Sequence, residues 1–130
     1  MPRTPRFIIP GLPHHITQRG NYRQPGFGSD ADRHFFLRRL NDRAQQYEIQ
    51  VLAWCLMDNH FHVIAIPRRE DSFALALGAL LSEYSLRMNV LRGEIRGHVW
   101  QSRYYSCALK PRHLWMALRY VELTPFAPRL

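Results

Sequence analysis

Two histidines stand one residue apart in the run Met57-Asp58-Asn59-His60-Phe61-His62-Val63-Ile64-Ala65-Ile66. Alternate residues of a β-strand point to one face, so His-Phe-His aims two imidazoles at one spot. Two neutral imidazoles can hold a divalent metal and leave further coordination positions open, which metal-assisted chemistry requires. A second chemical group lies near the C-terminus. His113, Ala117, Tyr120 and Thr124 recur at spacings of four, three and four, one stripe of a helix. A phenol attacks phosphorus when a metal polarises the phosphate and the geometry is enforced. The chain also holds Tyr22, Tyr47, Tyr84, Tyr104 and Tyr105. Spacing selects Tyr120 only if its helix docks on the histidine face.

The elements that must position these groups alternate in type. His15–Arg19 reads as a strand, and residues 20–29 as a loop rich in glycine and turn residues. Ser29 suits a helix N-cap, with Asp30 and Asp32 in the first turn, where the helix dipole favours them. Phe36, Leu37, Leu40, Ala44 and Tyr47 then recur at helical spacing. Residues 49–57 form an apolar strand, and Asp58-Asn59 is a two-residue connection of the kind that tolerates positive φ in a tight hairpin. A second helix runs from Ser72 to about Met88, and residues 89–97 read as a loop. A strand spans His98–Leu109, and a helix opens on Pro111, continues to Leu123 and stops before Pro125.

This order predicts one α+β domain over residues 1–130: a ferredoxin-like, RRM-like antiparallel sheet with two helices on one face. His60, His62, Ile64 and Ile66 share one face of their strand, and Phe61, Val63 and Ala65 the other. A strand apolar on both sides is central and covered on both sides. The third helix is free to cover the histidine face.

Composition points to the partner. The 130 residues include 18 Lys+Arg against 10 Asp+Glu, a formal charge of +8, and every basic residue but Lys110 is arginine. Guanidinium forks suit phosphate oxygens, so a nucleic acid is favoured. Cys55 and Cys107 lie in apolar stretches without metal-ligand spacing and read as buried thiols. No stretch nears the roughly 20 apolar residues of a membrane span, and no signal peptide is evident, so a cytoplasmic protein without a membrane partner is expected.

The motif Cys55-Leu56-Met57-Asp58-Asn59-His60-Phe61-His62 resembles the metal-binding motif of the HUH single-tyrosine transposases, in particular the REP-associated tyrosine transposases. His14-His15-Ile16-Thr17-Gln18-Arg19-Gly20-Asn21 is similar to that family's first strand and following loop. The run Gly97-His98-Val99-Trp100-Gln101-Ser102-Arg103-Tyr104-Tyr105 is similar to its last strand, and Arg119-Tyr120-Val121-Glu122-Leu123-Thr124-Pro125 to its tyrosine helix. The resemblance implies cleavage and rejoining of single-stranded DNA through a 5′-phosphotyrosine intermediate, with Mg2+ or Mn2+ as cofactor. It implies Tyr120 as nucleophile and His60 and His62 as metal ligands, with Thr124 at the position of a further ligand. It also implies single-stranded DNA or a DNA hairpin as partner, and a homodimer joined edge to edge. The chain departs from the family at Asp58, where proline is common, and at Thr124, where an amide is usual. It also ends at Leu130, where relatives continue.

Arg19, Asn21 and Arg23 around the first loop, Arg68 and Arg69 after the histidine strand, and Gln101 and Arg103 on the last strand are the candidate DNA contacts. Two other classes stay open. A non-catalytic single-strand or hairpin binder would stack bases on the sheet and need no metal. A zinc hydrolase would add a third histidine, from His15, His98 or His113.

Overall fold

Phe61 and Val63 lie between residues that point the other way, so one face of the strand carrying them is apolar and must be buried. The computed structural model shows how, over residues 7–20, 27, 29–92, 100 and 103–123; for Arg92 and residues 120–123 it describes the place in a helix and not the side chain. The elements follow in the order β1 (His14–Arg19), α1 (Asp30–Gln46), β2 (Ile49–Leu56), β3 (His60–Pro67), α2 (Ser72–Arg92), β4 (Tyr105–Ala108) and α3 (Pro111–Leu123). The four strands form one antiparallel sheet in the order β2-β3-β1-β4. The expected α+β, ferredoxin-like architecture is the one found, with the histidine strand at its centre.

Helices α1 and α2 cover one face. Phe36, Leu37 and Leu40 of α1 and Phe73, Leu77, Leu80 and Tyr84 of α2 enclose Ile16, Phe61, Val63 and Ala65 of the sheet. Phe61 is fully buried among rings, with Phe36 at 4.9 Å and Trp100 at 5.5 Å between centroids. Such aromatic pairs contribute about 0.5–1.5 kcal/mol each beyond their buried area. Ser29 caps α1 as its sequence predicts, its hydroxyl accepting from the Asp32 backbone N–H at 3.2 Å.

The structure departs from the sequence reading in several places. Phe27 lies outside helix and strand as read, but its ring belongs to the core through Phe36, Tyr84 and Trp100. Helix α2 runs to Arg92, a turn beyond Met88. Among the described residues the last strand is Tyr105–Ala108, while Trp100 makes an isolated bridge to Gly20. Cys55 is buried as expected, but Cys107 is exposed because β4 is an edge strand whose outer face is open. In the β2–β3 hairpin neither Asp58 nor Asn59 adopts positive φ; among the described non-glycine residues only Glu48 does, at 58°, where α1 turns into β2. Among the described residues no helix is long and apolar enough to cross a membrane.

His14 is a buried polar residue with both ring nitrogens committed. Nδ1 donates to the Leu12 carbonyl at 2.7 Å, and Nε2 accepts from the Ile9 N–H at 3.2 Å. This pattern requires neutral imidazole, and burial lowers its pKa despite the opposing carbonyl bond. The unfolded chain therefore takes up this proton first on acidification. The stability that His14 contributes is full above the unfolded value near 6.5 and is lost as pH falls below it. Thermal melts between pH 7.5 and 5 are expected to show a falling Tm. In His14→Leu the fall becomes shallower without vanishing, because other histidines of the sheet have lowered values as well.

Candidate active site

The face opposite α1 and α2 is set by cross-strand register. His62 pairs with Thr17 of β1 and Cys55 of β2, and Thr17 pairs in turn with Tyr105 of β4. One row across the sheet therefore reads Cys55, His62, Thr17, Tyr105. The next row towards the hairpin pairs His60 with Arg19, and the row on the other side reads Ala53, Ile64, His15, Cys107. A register shift between Val51 and Ala53 brings Ala53 and Cys55 onto this face.

Helix α3 docks on the same face, as expected. Its Leu114, Ala117 and Leu118 pack with Leu52 and Met57 against Ala53, Cys55 and Ile64. Met57 lies at the histidine end of the sheet, its N–H bonded to the His60 carbonyl at 2.8 Å. Tyr120 lies in α3 three residues beyond Ala117; its side chain is outside what the structure describes. The hairpin turn that presents His60 is tied down from both sides. The Asp58 carboxylate pairs with Arg33 of α1 at 2.8 Å, its carbonyl accepts from Phe27 N–H at 3.1 Å, and the Asn59 carbonyl accepts from Gly20 N–H. Aspartate at this turn thus has a partner of its own.

The two imidazoles stand nearly perpendicular with centroids 5.0 Å apart. The Nδ1 of His60 meets the Asn59 side-chain oxygen at 2.7 Å, and the Nδ1 of His62 meets Nε2 of His15 at 3.0 Å. Both rings thus commit Nδ1 to an outer partner, so ligation falls to Nε2, the usual division in histidine metal sites. Burial, with His15 and His60 alongside, pushes the His62 pKa down to about 4. Burial and the Arg19 charge lower that of His60. Both are neutral near pH 7, the form that ligates. Among the described residues no group of three or more His, Cys, Asp or Glu side chains could hold a metal. Among the described residues the donor set fits two ligands of an open site: His15 is engaged with His62, and His113 is exposed on α3.

A profile of the IS200-like transposases matches residues 9–124. The chain belongs to the IS200-like transposase family. A solved structure of a REP-associated tyrosine transposase bound to a REP hairpin is similar in fold, with a TM-score of 0.71 at 17% identity, covering 96% of this chain and 73% of that one. A Deinococcus radiodurans protein provisionally described as a transposase has a TM-score of 0.63 at 18% identity, covering 92% of this chain and 95% of that one. A comparison with curated proteins finds no match.

The remaining candidates of this IS200-like transposase divide by position. Arg19 lies opposite His60, and half-buried Arg103 precedes Tyr105 at the same end of the sheet. Arg68 and Arg69 follow the far end of β3, roughly 23 Å along the strand from His60. There Arg68 reaches Gln50 and Arg69 pairs with Asp71 at 3.3 Å. The structure does not bring those two to the histidines. Asn21, Arg23, Gln101, Thr124 and His98 lie outside the described residues.

Two residues of this face were not among the sequence candidates in these roles. His15 was considered only as a zinc ligand; alternation along β1 and antiparallel pairing with β3 carry the signal for its place beside His62. Tyr105 is 60% exposed, on the sheet half that α3 leaves open. The Cys107 group beside it raises its pKa. If α3 is held by the Ala53–Cys55–Ile64 cluster, Leu118→Asp undocks it. Amide exchange in α3 is then expected to rise at least about tenfold while α1 and α2 stay protected.

Proposed function

We propose that this transposase is a metal-dependent single-strand DNA endonuclease and strand transferase acting through a 5′-phosphotyrosine intermediate. The observation that carries this reading is the docking of the Tyr120 helix onto the sheet face that presents the paired imidazoles of His60 and His62. Those imidazoles would hold the metal, Mg2+ or Mn2+, with the Thr124 hydroxyl as a further candidate ligand. Bound there, the cation supplies Lewis-acid polarisation of the scissile phosphate.

The chain's own residues do the rest. The Tyr120 oxygen attacks phosphorus in line, the P–O3′ bond breaks, and the departing 3′ oxygen takes up a proton. The 5′ phosphate is then esterified to Tyr120. Attack by a 3′ hydroxyl reverses the exchange and releases the phenol, so the bond energy is conserved without a nucleotide cofactor. The single strand, or the foot of a hairpin, lies over β1 and β4, the half of the sheet left open by α3. Arg19 and Arg103 meet phosphates there, and Tyr105 offers its ring to an unstacked base. Asn21, Arg23 and Gln101 are further DNA contacts of this proposal, while Arg68 and Arg69 serve a more distant part of the DNA. The hairpin-bound neighbour of similar fold supports hairpin DNA as the partner.

End-labelled hairpin oligonucleotides incubated with the protein and Mn2+ are expected to give a covalent adduct on a denaturing gel. The adduct is absent in Tyr120→Phe and reduced at least about 100-fold in His60→Ala and His62→Ala. Hairpin binding without any adduct, across a broad oligonucleotide pool, would contradict the reading and leave a binding-only protein. Tyr105→Ala is expected to weaken single-strand binding by about 1–3 kcal/mol, measured by fluorescence anisotropy at fixed salt.

A further inference from the structure

We infer that His15 is a positioning residue for His62, accepting a hydrogen bond from His62 Nδ1–H and so presenting His62 Nε2 to the metal. This deepens the proposed function and rests on its metal site.

The geometry is specific. Nε2 of His15 and Nδ1 of His62 are 3.0 Å apart, with ring planes inclined by only 22° and centroids 5.2 Å apart. That centroid separation equals the nitrogen–nitrogen distance plus the two ring radii. The rings therefore meet end to end and nearly in one plane, where an imidazole lone pair can receive an N–H. A face-to-face stack would place the nitrogens on no such line.

One proton is shared along this contact, and its owner decides the chemistry. If His15 donated, the neutral His62 ring would carry its own proton on Nε2 and could not ligate through that atom. If His62 donates, its Nε2 lone pair is open to metal, and His15 carries its proton on Nδ1. Metal binding at His62 Nε2 thus requires the second arrangement, and His15 stabilises it. His60 receives the same service from a different group, the Asn59 side-chain oxygen at 2.7 Å. The backbone supports the pair: His15 lies opposite Ile64 in the β1–β3 register, two residue pairs from Thr17 opposite His62 and so on the same face. Ile64 is fully buried under α3, which fixes the strand beneath the contact.

Mn2+ affinity, measured by the electron paramagnetic resonance of the free ion, tests this in wild type, His15→Ala, His15→Gln and His62→Ala. Expected are a 10–100-fold weaker affinity in His15→Ala and partial recovery in His15→Gln, whose amide oxygen still accepts. Unchanged far-UV circular dichroism and undiminished amide protection in α1 and α2 are expected in both His15 variants, which confirms that they fold. With Zn2+ as diamagnetic probe, a protected His62 Nδ1–H proton resonance is expected in wild type and not in His15→Ala. Unchanged Mn2+ affinity in His15→Ala would overturn this inference while leaving the metal site standing. Wild-type binding that ignores His62→Ala would instead overturn the metal site, and this inference with it.

Discussion

The burial of Phe61 is the constraint on which the site depends. Its ring sits at zero exposure between Phe36 and Trp100, inside the core made by α1, α2 and the sheet. Successive strand residues face opposite sides, so anchoring Phe61 inward sends His60 and His62 outward together. A slip of one residue in β3 would put both imidazoles in the hydrocarbon core and expose Phe61, a double penalty that fixes the register. The antiparallel partner strand then inherits its own alternation: Ile16 enters the core, while His15, Thr17 and Arg19 rise beside the histidines.

The outer face is divided between cover and opening. Over β2 and β3, small and aliphatic residues (Ala53, Cys55 and Ile64) give α3 a footing, and the amphipathic helix closes that half. Over β1 and β4 the same face carries Thr17, Arg19, Tyr105 and Cys107, which are polar or exposed and offer no comparable footing. The histidines stand at the boundary between the halves. In the proposed function one side supplies the attacking group from a helix, and the other admits a strand of nucleic acid. The chain is an IS200-like transposase, and its fold is similar to that of a REP-associated tyrosine transposase.

Much of this was legible in the sequence because it rests on local rules. The Ser29 cap, the Pro111 helix start and the alternation through His60–Ile66 each act within a few residues, and each is found. The docking of α3 on the histidine face followed from counting apolar faces that needed covering. What was not legible depends on register and on distant contacts. Phe27 looks like loop sequence because its partners, Phe36, Tyr84 and Trp100, are contributed by other segments. His15 could be counted as a histidine, but its role required knowing that β1 and β3 pair with Thr17 opposite His62. Arg68 and Arg69 follow the histidine strand in sequence and are therefore a full strand length from the histidines in space.

In the proposed function metal, histidines and the Tyr120 helix meet on one face of the sheet. Paramagnetic broadening by Mn2+ in isotope-labelled protein tests it directly. Signals of His60, His62, Thr17 and the last turn of α3 should broaden first, with those of α1 and α2 spared behind the sheet. Broadening centred elsewhere, or broadening at the histidines that leaves the last turn of α3 untouched, would contradict the account.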